Sequence, residues 1–225
     1  MASEALCPDG NKAKEKTLIE MTDRSDEFLR TNFKYFQEWH HWYDKAVSLR
    51  KSAMVLYRSA LPALRKYDRA EKKARKELEI RPVAQVRFPH PDMLPAFSLF
   101  GSVLESAFKG IMVHDNPGLI RADKLDPILK SHKLIDLAGR AGIKLSSREQ
   151  RVLGWLTEVL IWKARYSVPT NIKHGDKFFD RFDNIRLDDA RACVRVIEEV
   201  FARAKRAMPR PAKRTGFDVL VRIDE

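Results

Sequence analysis

The chain has 225 residues, 44% hydrophobic and 33% charged with nine glycines, which excludes a disordered or collagen-like polypeptide and predicts a folded, helix-rich one. Its 43 lysines and arginines against 31 acids leave a formal charge of +12, which favours polyanionic partners. Two cysteines, Cys7 and Cys193, without CxxC spacing, exclude a thiolate zinc site and a disulfide framework and fit a reducing compartment.

Residues 1–24 have no apolar period and are expected to form a flexible tail. The opening "MASEALCPDGNKAKEKT" is polar and carries acids, unlike a signal or transit peptide. The longest charge-free apolar run, "MLPAFSLFGSVL", is too short to span a bilayer. A cytoplasmic chain without a membrane partner is therefore expected.

Residues 25–80 predict an N-terminal helical hairpin or arm. Phe28, Phe36, Trp39, Tyr43, Ala46 and Leu49 recur at three- and four-residue steps, as one helix face requires, and Ser25 or Asp26 would cap the start. Pro62 is expected to end or kink this helix, with a second one continuing through Leu64, Tyr67, Ala70, Ala74 and Leu78. The aromatics Phe33, Phe36, Trp39, Trp42 and Tyr43 cover more than one face, so they serve either the core or another chain.

After a loop with four prolines, residues 92–208 predict a helical bundle. "AFSLFGSVLESAFKGIMVH" is apolar on nearly every side and belongs at the centre. "DNPG" stops it, "LDPILKSHKLIDLAGRAG" reads as a short helix ending at a glycine, and Ser146 or Ser147 opens a long helix with Glu149 or Gln150 placed for a capping box. That helix runs to a break at Tyr166–Pro169, and "RLDDARACVRVIEEVFARAKRAM" is the last helix. Residues 209–225 read as a basic linker and a short extended tail. The fold class expected is all-α, an antiparallel helical bundle.

Phosphate-binding glycine loops, HExxH and GxSxG are missing, and no small-molecule cofactor is expected. A single Glu-x-x-His, Glu38 to His41, supplies too few ligands for a metal, so none is expected; His40 and His41 read instead as interfacial side chains beside Trp39 and Trp42. "RKYDRAEKKARKELEIR" mixes both signs at helical spacing and reads as a solvated face laced with i,i+4 pairs. "RAKRAMPRPAKR" has no acid, so Arg203, Lys205, Arg206, Arg210, Lys213 and Arg214 are the candidates for phosphate contact.

The central helices carry a second candidate. Glu105 and Lys109 share a helix face at i,i+4, and Glu158, Trp162 and Arg165 share another. If these faces meet His132, then Glu105, Lys109, His132, Glu158, Arg165 and Tyr166 form a buried polar cluster. It is either a network that fixes register or a site whose arginine and histidine meet phosphate.

Three short motifs over residues 94–207, "LESAFKGIM", "LKSHKLIDLAGRAG" and "WKARYSVP", resemble the divergent bacterial branch of the HEPN superfamily. The resemblance implies a helical bundle that often forms homodimers, and RNA-cutting or RNA-binding modules of toxin–antitoxin and defence systems. Active members place a histidine four to six residues after an arginine. No histidine here has that spacing, and within residues 94–207 the nearest approach is Arg165 with His174. The sequence thus points to an HEPN-like module that binds RNA or a partner protein. The alternatives are a metal-independent endoribonuclease using Arg165 with His132 or His174, and a structural interaction module.

Overall fold

The computed structural model describes residues 38–80, 91–121, 124–163 and 185–208. Five α-helices carry the fold among these residues: α1 Trp39–Ile80, α2 Leu94–Asp115, α3 Leu134–Arg140, α4 Ser147–Glu158 and α5 Leu187–Ala207. The fold is all-α, and the only β-type pairing among the described residues is an isolated bridge between Ile120 and Leu125. The expected tails, Ser25, Asp26, Phe28, Phe33, Phe36, the 166–169 break and the C-terminal extension lie outside the described residues.

Every other helix touches α2. The reason is its composition: Val103, Phe108 and Val113 lie on different sides of one helix, and all are buried. By length and composition α2 could cross a membrane, although 78% of its most apolar window is buried inside the fold. The Asp92 carboxylate accepts the Leu94 N–H at 2.9 Å and Pro95 occupies the first turn, where a missing N–H costs nothing. At the other end Asn116 turns the chain by accepting the Gly118 N–H at 3.1 Å.

Pro62 does not end the first helix. α1 runs through it for 42 residues and α2 is its main partner. Ala46, Ala53, Tyr57 and Leu64 form the buried seam, whereas Pro62 and Arg58, whose carbonyl loses its helical donor, are both exposed residues. The segment from Pro127 to Arg140 is also not one helix. Pro127–Lys130 makes a 3-10 turn, Ser131 is extended, and α3 starts afresh at Leu134, whose N–H is capped by Thr157 Oγ1 at 3.0 Å.

Two sequence-legible helix ends have the geometry their residues dictate. Gly142, at φ +69°, follows α3; the Ile143 N–H reaches the Ala138 carbonyl and the Gly142 N–H reaches that of Gly139, the paired bonds of a glycine C-terminal cap. At the start of α4, Ser146 Oγ accepts the Glu149 N–H while the Glu149 carboxylate accepts the Ser146 N–H at 2.7 Å. The last turn of this helix widens into a π-type turn, Val159–Lys163, where Leu160 lies over Gly101. A Cβ on Gly101 would meet Leu160 Cγ at 2.8 Å, so the glycine permits the approach.

Candidate functional site

Helical spacing fixes the first half of the polar cluster. Glu105 and Lys109, one turn apart on α2, pair at 2.6 Å. The Lys109 side chain is 4% exposed, and an ammonium so deep in an apolar wall persists only because a carboxylate meets it. The other Glu105 oxygen lies 2.9 Å from His132 Nδ1. His132 reaches it from the extended stretch between the 3-10 turn and α3, so the break that sequence periodicity does not register delivers the imidazole.

Glu105 and His132 border a cleft of about 450 Å³, with Lys45 of α1, Leu160 and the α2 serines Ser98, Ser102 and Ser106 around it. The serines recur every four residues, so a hydroxyl row on an apolar helix is the sequence signal that marks them, one absent from the candidate cluster above. Lys45 came unheralded because no local pattern ties it to α2. The cleft offers an ammonium, an imidazole held by a carboxylate, and hydroxyls, a set suited to hydrogen bonding and to proton transfer.

Glu158 does not join the triad: it is half-buried and makes no hydrogen bond or ion pair among the described residues. Arg165, Tyr166 and His174 lie outside the described residues, as do Arg210, Lys213 and Arg214. Of the basic set at the end of α5, Lys205 and Arg206 are exposed in the last turn, where cations also complement the helix dipole. Arg203, expected as an unpaired phosphate ligand, instead donates from Nη2 to Glu149 Oε1 at 2.7 Å. The acid that claims it lies far away in sequence, at the start of α4. Burial acts to raise the Glu149 carboxyl, but bonds from the Ser146 N–H, Arg203 and the Ser146 hydroxyl outweigh it and hold the group below its ordinary value.

The outer side of α1 carries a feature that charge counting along the chain conceals. Lys51, Val55, Arg58, Pro62, Arg65, Arg69, Lys72 and Lys76 are all exposed and alternate at three- and four-residue steps, so they form one row turned away from the buried seam. Six of the eight are basic and none is acidic. Lys72 pairs with Asp68 at 2.9 Å and Arg75 with Glu71 at 2.6 Å, so the expected i,i+4 pairs are present. Those acids lie off the row, toward the protein, with side chains 13% and 25% exposed.

At the start of α1, Trp39, Trp42 and Tyr43 pack against the core, and Trp39 stands edge-on to His114 of α2 at 5.8 Å between centroids. Glu38, His40 and His41 gather beside them, with Glu38 Oε2 2.8 Å from His40 Nε2. A second cavity, about 300 Å³, has Arg148, Arg151 and Trp155 of α4 on one side and Asp189 and Cys193 of α5 on the other.

No family model, curated protein or solved structure matches the chain.

Proposed function

We propose that the chain is an HEPN-like, RNA-binding helical module, and that the basic row of α1 is the surface that follows the phosphate backbone. The observation that supports this reading is the placement of Lys51, Arg58, Arg65, Arg69, Lys72 and Lys76 along one exposed edge without an acid among them. At 1.5 Å of rise per residue the row extends about 37 Å, long enough to run beside several consecutive phosphates. Three of the six are arginines, whose planar fork suits phosphate oxygens. Contacts of this kind position a polynucleotide without reading its bases, so tolerance of sequence is part of the proposal.

Binding of a labelled single-stranded RNA across a salt series tests it. Affinity should fall linearly on a log–log plot, with a slope of about −0.7 per phosphate neutralised. Exchanging Arg58, Arg65 and Arg69 together for glutamate should weaken binding and flatten that slope by about 2, while helicity is retained because all three side chains are exposed. Affinity indifferent to salt, or unchanged by the triple exchange, overturns the reading.

A second reading is favoured by one observation, the contact of Glu105 with His132, whose side chain is 32% exposed at the cleft. A carboxylate-held imidazole open to solvent suits a general base, so the alternative is metal-independent RNA cleavage with His132 in that role. Purified protein incubated with total RNA in EDTA decides it. Cleavage that disappears in His132→Ala supports the ribonuclease, and intact RNA with the unaltered chain excludes it.

A further inference from the structure

We propose that Glu38, His40 and His41 form a site for a divalent transition metal ion, with zinc the ion their chemistry suits best. Two imidazoles and one carboxylate are the donor types of three-ligand zinc sites that leave a fourth position open. One donor atom from each residue lies within 4.8 Å of the others. Tetrahedral zinc, with bonds of about 2.0–2.1 Å, needs its donors roughly 3.3 Å apart. A small adjustment is therefore required, in which the 2.8 Å Glu38–His40 contact opens slightly and the wider separations close. Glu38 is placed to make it, because its side chain is 55% exposed while that of His40 is 22% exposed.

The remaining geometry is already organised. The His40 and His41 rings lie 4.6 Å apart between centroids, with their planes tilted by 40°. The Trp39 ring stands edge-on against His40 at 6.1 Å. The His41 N–H donates to the Glu38 carbonyl at 3.1 Å, which holds Glu38 over the first turn of α1. That turn is pressed onto α2 at Gly110, where an added Cβ would meet Trp42 Cβ at 3.0 Å and the Trp39 carbonyl at 3.5 Å.

A Glu-x-x-His pair alone has too few donors, and the third comes from His40, adjacent to His41 in sequence and brought to the same side. The carboxylate matters electrostatically. The amino-terminal end of a helix carries partial positive charge and the whole chain is cationic, so a metal held by imidazoles alone would be opposed. The site is independent of the RNA reading and of the α1 row.

The test uses the full-length chain, stripped with EDTA and desalted, and Co²⁺ as a spectroscopic probe. One equivalent of Co²⁺ should develop visible absorption that saturates, and one equivalent of Zn²⁺ should abolish it. Removal of a direct ligand should cost at least the roughly 10–100-fold that outer-shell partners cost. Glu38→Gln is therefore expected to weaken Zn²⁺ binding at least about tenfold, and His40→Ala with His41→Ala to eliminate it. His132→Gln, which is not among the three proposed ligands, should leave it unchanged. Absence of saturable uptake by dialysis and spectroscopy overturns the proposal, and so does uptake unaltered in the double variant. Should that variant fail to keep its helicity, Glu38→Gln decides alone: weaker binding supports the site and equal binding removes it.

Discussion

Truncating Lys109 would take from the Glu105 carboxylate one of its two ionic partners among the described residues, leaving His132. Lys109→Ala is expected to destabilise the fold by about 3–5 kcal/mol, whereas Lys109→Met combined with Glu105→Leu should recover most of that loss. Denaturant titrations of the two variants measure the difference. Cys193 belongs to the same scale. Burial pushes its thiol up to about 11, the Asp189 carboxylate adds to the rise and Arg148 opposes it. In a Cys7→Ser background, native Cys193 should therefore carry about a hundredfold less thiolate at neutral pH than an ordinary thiol. Iodoacetamide should label it slowly until denaturant is added; rapid native labelling would contradict the burial. The Glu105–Lys109 pairing was legible because spacing alone brings them together. His132 was legible only as a conjecture about how three segments meet.

At the level of elements, Arg203 links α5 to the amino-terminal end of α4 through a carboxylate that also caps that helix. Because the folded chain holds Glu149 below its ordinary value of 4.5, the unfolded chain takes up the proton more readily. The stability this group supplies is complete above that value and disappears as pH falls through the folded one. Thermal midpoints of the unaltered chain should drop over this acid range more than those of Glu149→Gln, which at pH 7 should itself be about 1–2 kcal/mol less stable. Ser146 and Glu149 advertise the cap locally, three residues apart. Arg203, 54 residues further on, carries no such signal. Likewise Gly142 marks the end of α3, but nothing local says that a proline-led turn and an extended stretch precede it. Pro62 misleads in the opposite direction: it removes one N–H donor and crowds the Arg58 carbonyl, yet both residues are exposed and the buried seam on the other side carries the helix through.

For the whole molecule, the apolar character of α2 made its central position readable, and helical periodicity made the all-α class readable. The basic row is not legible along the chain, where acids and bases interleave; it emerges only around the cylinder of the helix. A charge of +12 on one fold also repels itself. Raising NaCl from low to physiological concentration should therefore lift the thermal midpoint by a few degrees, and a flat or falling midpoint in a scanning fluorimetry series would argue against it. The two sides of α1 share one repeat: Ala46, Ala53, Tyr57 and Leu64 inside, with Lys51, Arg58, Arg65 and Lys72 seven residues apart outside. Insertion or deletion of a single residue within this stretch would turn the residues beyond it by about 100° relative to those before it, carrying guanidinium groups toward the buried seam. Gains or losses of seven would keep both faces aligned, at the cost of a slide of about 10 Å along the axis. The length of this segment is thus quantised, and natural variants should differ there by heptads or not at all.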